Sequence, residues 1–204
     1  MQEMALGRRG FLKETLVTAG KVAAEIAGGI SAKEEKPSPK IPTKQINFLR
    51  PPGAVEETTF LELCTRCDDC VKACTHNSIK KTSEKNIEET PVIIPKETPC
   101  HLCEDMSCIK SCKTGALLPV ERENVKMGVA KIKKSRCFAW DGQPCQFCFM
   151  KCPFPDEAIY FDDFRPVVRE EKCTGCGLCE QVCLTINHSA PMKVVPLRLL
   201  NSVN

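Results

Sequence analysis

Cys173-Thr174-Gly175-Cys176-Gly177-Leu178-Cys179-Glu180-Gln181-Val182-Cys183 decides the fold. Three thiols recur every three residues, and a fourth follows four residues later. A backbone that loops this way can offer three sulfurs to three iron corners of one cubane. The fourth sulfur, on a helical turn, points away towards a neighbouring cluster. The pattern recurs along the chain. Cys64, Cys67, Cys70 and Cys74 repeat the spacing unchanged. Cys100, Cys103, Cys108 and Cys112 widen the second gap. Cys137, Cys145, Cys148 and Cys152 widen the first, with a seven-residue insert, Phe138-Ala139-Trp140-Asp141-Gly142-Gln143-Pro144. The groups end 38, 40 and 31 residues apart and use all 16 cysteines. Repetition at this period points to duplication of one supersecondary unit.

The first and fourth groups carry the spacing of bacterial ferredoxins as written. The expected cofactors are four [4Fe–4S] clusters, with the sixteen cysteines as iron ligands. The expected fold is α+β: tandem bacterial-ferredoxin-like units of short β-hairpins and short helices around the clusters. Runs of β type precede later groups at Pro91–Ile94, Val129–Ile132 and Arg165–Val168, and follow groups at Thr114–Leu118 and Glu157–Phe161. The residues before each fourth cysteine, such as Val71-Lys72-Ala73, suit a short helix. Aromatic residues make up only 5% of the 204-residue chain. Iron–thiolate bonds would replace the missing apolar core, so folding should depend on the cofactor.

Three other uses of the cysteines compete with this reading. A thiol-redox enzyme needs one privileged Cys-x-x-Cys, and nothing singles one out. Zinc sites take two Cys-x2-Cys pairs separated by a longer loop, unlike these runs. A disulfide scaffold suits an exported protein, but gives no reason for four repeats of one spacing. Both lead to a zinc- or disulfide-stabilised binding module, the alternative to an electron carrier. Proline follows a fourth cysteine only at Pro153; Thr75, Lys113 and Leu184 stand at the other three positions. Trp140 either marks a docking surface or shields a cluster, and shielding is the preferred reading. His76, His101 and His188 are too few and scattered for a metal site of their own. Asp68-Asp69 and Glu104-Asp105 read as solvated, and Lys131, Lys133, Lys134 and Arg136 as a solvated basic run. No nucleophile elbow, phosphate loop or dinucleotide fingerprint appears. The expectation is a carrier of single electrons with no substrate chemistry of its own.

Three zones differ in composition. Residues 1–32 form the candidate signal segment, 33–44 a charged Pro-rich linker, and 45–204 the cysteine-bearing body. Gly7-Arg8-Arg9-Gly10-Phe11-Leu12-Lys13 resembles a twin-arginine export signal, Arg8 and Arg9 being the pair. The alternative is an ordinary amphipathic helix. Ile30-Ser31-Ala32 fits a cleavage site poorly, so an uncleaved tether stays open. The first 44 residues hold 8 Lys/Arg and 5 Asp/Glu, and the rest hold 21 of each. A body without basic excess argues against nucleic acid as a partner. Loaded clusters, at roughly −2 each, would make it acidic. No run of 18 apolar residues exists to span a membrane.

Particular stretches then sharpen the likeness. These are the twin-arginine start and Arg50-Pro51-Pro52-Gly53-Ala54. They continue with Cys103-Glu104-Asp105, Thr114-Gly115-Ala116-Leu117, Met127-Gly128-Val129-Ala130 and Asp156-Glu157-Ala158-Ile159. Cys173-Thr174-Gly175-Cys176-Gly177 and Lys193-Val194-Val195-Pro196-Leu197 complete them. The chain resembles the NapG/MauM family of ferredoxin-type proteins. The resemblance implies a periplasmic protein at the outer face of the cytoplasmic membrane, exported folded and held there by a partner or its uncleaved signal. It implies a NapH-type membrane partner that oxidises quinol, and electron flow to the components of periplasmic nitrate reductase. A MauM-like role in methylamine oxidation is the alternative pathway. The resemblance also implies that outer groups pair with outer and inner with inner: Cys74 would serve the fourth group, Cys183 the first, and Cys112 and Cys152 would exchange. Adjacent pairing fits the spacing equally.

Overall fold

The computed structural model describes residues 47–82 and 89–200. The signal segment, with Arg8 and Arg9, and the linker lie outside the described residues.

Among the described residues, six short strands and six short α-helices are interspersed. Helix α1 (Glu57–Leu63) and α2 (Asp69–Ala73) precede strands β1 (Ile79–Lys81) and β2 (Pro91–Ile93). Helix α3 (Ser107–Lys110), β3 (Gly128–Ile132) and α4 (Phe147–Met150) follow. Strands β4 (Ile159–Asp162) and β5 (Arg165–Val168), α5 (Leu178–Ile186), β6 (Met192–Pro196) and α6 (Leu197–Leu200) end the order. This is the α+β architecture expected, with the expected runs at β2, β3 and β5 in place. The run at 114–118 does not form a strand. It makes a single antiparallel bridge, Leu117 to Ala54.

Three separate two-stranded antiparallel sheets organise the chain. Strands β1 and β2 form a hairpin between the first and second cysteine groups, pairing Ile79 with Ile93. Strands β4 and β5 do the same between the third and fourth, pairing Ile159 with Val168. Strand β3, before the third group, pairs with β6, after the fourth, through Val129–Val195 and Ala130–Val194. In the first half the equivalent closure is the Ala54–Leu117 bridge alone. The chain is therefore one plan used twice: a closing segment, a cysteine group, a hairpin, a second cysteine group and a second closing segment.

Leu49, Phe60, Ile93, Leu102, Val125 and Val194 are at most 1% exposed and belong to one core cluster running through both halves. Cys100, Cys148, Cys173, Cys176 and Cys179 belong to the same cluster. The sulfurs thus stand where a larger protein would place aliphatic side chains, as the thin aromatic content requires.

Arg50 gives the Arg-Pro-Pro-Gly-Ala stretch its structural meaning. Its guanidinium donates to both Glu57 carboxylate oxygens, to Thr90 Oγ1 at 2.9 Å and to the Pro91 carbonyl at 3.0 Å. It lies over the Phe48 and Phe60 rings. A buried charge needs such a partner set. Gly53 then turns with φ +76°, and a Cβ there would stand 2.2 Å from the Leu118 carbonyl oxygen.

Candidate metal centres

Three of the four cysteine loops are built by left-handed residues at set places. The residue before the second cysteine has positive φ in three groups: Arg66 at 59°, Leu102 at 50° and Gly175 at 73°. So does the residue two before the third cysteine: Asp68 at 67°, Met106 at 43° and Gly177 at 92°. The second position is also the N-cap of the helix that carries the third cysteine in groups one, two and four. Alternating left- and right-handed residues curl the backbone into a concavity with amide N–H groups facing inwards, a shape that receives anions. The third group departs from this rule. Its insert replaces the first loop, and Gln146, the N-cap of α4, has φ −131°.

Four sulfur quartets result, and each draws on two groups. Cys64, Cys67, Cys70 and Cys112 line one cavity. Cys74, Cys100, Cys103 and Cys108 line a second. Cys152, Cys173, Cys176 and Cys179 line a third. Cys148 lies in the field of Cys183, Cys137 and Cys145, which completes a fourth set. Three sulfurs of each set come from one group and the fourth from its neighbour, as the helical fourth position requires.

The pairing is adjacent, and this corrects the outer-with-outer and inner-with-inner exchange that the family resemblance implied. Cys74 meets the second group rather than the fourth, and Cys112 meets the first. Cys152 meets the fourth and Cys183 the third. The hairpins are the physical cause. Strands β1 and β2 fold the second group back onto the first, and α2 packs on α3. Strands β4 and β5 do the same for the third and fourth, with α4 against α5.

All sixteen cysteines are unbridged. Among the described residues no three His, Cys, Asp or Glu side chains converge as a single metal ion demands. The sulfurs stand around their cavities instead. Burial drives the thiols against ionisation, aided by the neighbouring sulfurs. It pushes Cys70, Cys100 and Cys148 up to about 12, and Cys108 and Cys176 up to about 11. Cys179, enclosed most fully, is raised further. Four thiolates in such a cavity need cationic iron among them. Amides already face the sulfurs: Ser78 N–H donates to Cys74 Sγ at 3.3 Å, Leu102 N–H to Cys100 at 3.4 Å, and Ala130 N–H to Cys173 at 3.4 Å. Such bonds stabilise an anionic sulfur and tune a cluster's potential. Cavity linings of Phe60, Val71, Leu117, Ile93, Met106, Ile159 and Val194 exclude water. The donor set, its spacing and its apolar wall fit an iron–sulfur cluster.

Several residues were read differently from sequence. His76 and His101 are brought together, their rings stacked 3.8 Å apart and 5° from parallel, beside the second quartet. Their sequence separation hid this. Trp140 is half-buried. Its Nε1–H donates to the Pro166 carbonyl at 3.2 Å, and Lys134 and Arg165 lie over the ring. It staples the third-group insert to β5. The basic run is partly engaged: Lys131 pairs with exposed Glu170, and Lys134 covers Trp140. Glu180 was not singled out from sequence, yet it is buried. Its carboxylate accepts from Val194 N–H at 2.6 Å, and burial raises its pKa. No helix among the described residues is long and apolar enough to cross a membrane.

Comparison with known proteins agrees with the donor chemistry. Residues 166–183 match the family described as "4Fe-4S binding domain". The ferredoxin-type protein NapG of Escherichia coli is 35% identical over 95% of this chain and 87% of its own length. The methylamine utilization ferredoxin-type protein MauM of Methylorubrum extorquens is 38% identical over 74% of each chain. The ferredoxin-type protein NapF of Escherichia coli is 28% identical over 69% of this chain and 82% of its own. No solved structure matches.

Proposed function

The chain belongs to the NapG/MauM family of ferredoxin-type proteins and is an electron-transfer iron–sulfur protein; from that premise we propose that it holds four [4Fe–4S] clusters, one in each sulfur quartet. Each cluster, when bound, supplies a centre that takes up and gives back one electron. The chain's own residues do the rest. The sixteen cysteines anchor the clusters, the left-handed loop residues aim amides at the sulfurs, and the aliphatic linings hold water away. The observation that supports this reading is the fourfold recurrence of one arrangement, three sulfurs from one cysteine group and one from its neighbour, with three of the four sets around an apolar cavity.

The pathway follows from family likeness. Electrons come from a NapH-type membrane protein that oxidises quinol and go towards periplasmic nitrate reductase. The chain works at the outer face of the cytoplasmic membrane, after twin-arginine export in the folded state through Arg8 and Arg9. Likeness to the MauM proteins, whose name assigns them to methylamine utilization, favours a second reading: the same carrier serving methylamine oxidation. Export and pathway are tested together in cells. Replacing Arg8 and Arg9 by Lys should leave the protein in the cytoplasm. Deleting the chain should slow nitrate-dependent respiration if the first pathway holds, and growth on methylamine if the second does. Periplasmic protein despite the Lys pair would overturn the export reading.

A further inference from the structure

Each quartet has a neighbour in its own half, because the two exchange a cysteine. The connection between the halves is separate. Cys100 belongs to the second quartet and Cys176 to the third. The Cys100 N–H donates to the Cys176 carbonyl at 2.9 Å. Around this contact the halves are closely fitted. A Cβ on Gly177 would stand 2.5 Å from Pro95 Cβ, and Gln181 Nε2 donates to the Glu97 carbonyl at 3.1 Å. The first and fourth quartets face the other way. Cys67 of the first is solvent-exposed, and Cys145 of the fourth lines an open groove with Asp163, Phe164 and Arg165, where Phe164 is 84% exposed.

We propose that the four centres form one unbranched line: the Cys64/67/70/112 quartet, then Cys74/100/103/108, then Cys152/173/176/179, then Cys137/145/148/183. The Cys100–Cys176 contact is the crossing between halves. The order differs from chain order, because the fourth cysteine group lies inside the line and the third lies at its end. The proposal rests on the four-cluster reading and deepens it. One electron enters from a reduced protein partner at one end. Each transfer oxidises one centre by one electron and reduces its neighbour by one. The electron leaves to an oxidised partner at the other end, and no atom moves.

Magnetic coupling between reduced centres reads the order directly. Full-length protein is prepared without oxygen, fully reduced and examined by low-temperature paramagnetic resonance, with iron measured on each sample. Removing an inner quartet by Cys103→Ala or Cys173→Ala should leave one isolated, uncoupled centre beside a coupled pair. Removing an end quartet by Cys67→Ala or Cys145→Ala should leave three centres all still coupled. A second measurement needs no substitution: the fully reduced unaltered protein should show all four centres coupled. An isolated centre after loss of an end quartet, or none after loss of an inner one, would overturn the order. Two mutually uncoupled pairs in the unaltered protein would overturn the crossing. Iron far below four clusters in the unaltered protein would instead defeat the four-cluster reading, which makes the two failures distinguishable.

Discussion

The two halves of the molecule build the same sulfur geometry from different materials. In the second half, glycines occupy both left-handed loop positions, Gly175 and Gly177. Five residue pairs join β3 to β6, and Cys137, Cys148, Cys173, Cys176 and Cys179 are buried. In the first half, Arg66, Asp68, Leu102 and Met106 adopt the same left-handed turns, one bridge replaces the closing sheet, and only Cys100 is buried. The loop's conformation is thus required by the sulfurs and not by glycine. A side chain there bears a strain of about 1 kcal/mol or more, which the rest of the structure must offset. The second half is the tight one and the first is the tolerant one.

The sharpest break of this contrast is a methyl group added at matched backbone angles. Gly175→Ala places a Cβ 2.4 Å from the Gly128 backbone nitrogen, inside the packed second half. It should destabilise the loaded protein by about 3 kcal/mol or more, clash adding to strain. Gly115→Ala, at φ +79° in the first half, meets nothing within 4 Å and should cost about 1 kcal/mol. Anaerobic thermal unfolding of both variants measures the difference. Equal losses would mean that enclosure does not distinguish the halves.

Exposure to air sharpens it next. The quartet with exposed Cys67 should lose its iron first, and the one around Cys179 should lose it last. Timed oxygenation followed by mass mapping of newly alkylated cysteines gives the sequence. Early labelling of Cys179 would reverse the assignment.

The halves should agree in one respect. Burial raises thiol pKa values in both, to about 12 at Cys70 in the first and at Cys148 in the second. At neutral pH these thiols keep their protons, and each must lose one to bind iron. A rising pH therefore favours cluster uptake, and reconstitution of the iron-free chain should speed up from about pH 6.5 to 8.5 in both halves. An uptake rate flat in pH would show that proton loss does not limit assembly.

The smallest effect is a gain. Arg66→Gly relieves left-handed strain while adding freedom to the unfolded chain, and the net should be a stabilisation of about 0.5 kcal/mol. Thermal unfolding against the unaltered protein checks it.

The cysteine spacing made the quartets legible because three-residue intervals carry their geometry locally. The short helices leading to the fourth cysteines and the strands β2, β3 and β5 were legible for the same reason. Which neighbour receives Cys74 or Cys183 was not. That depends on how the two hairpins fold groups onto each other, a long-range outcome that adjacent and nested pairings both allow. Arg50 showed only as part of a short motif, since its partners Glu57, Thr90 and Pro91 are scattered along the chain. His76 and His101 were unreadable as a pair for the same reason. Helix α1 left no apolar stripe to read, because it buries only Phe60.

The account stands on cubanes held by the four sulfur quartets, and analysis of iron, acid-labile sulfide and zinc on oxygen-free protein tests that most directly. Four filled quartets should give about sixteen iron and about sixteen sulfide per chain in a brown solution. Colourless protein with zinc, or with cysteine bridged to cysteine, would contradict it.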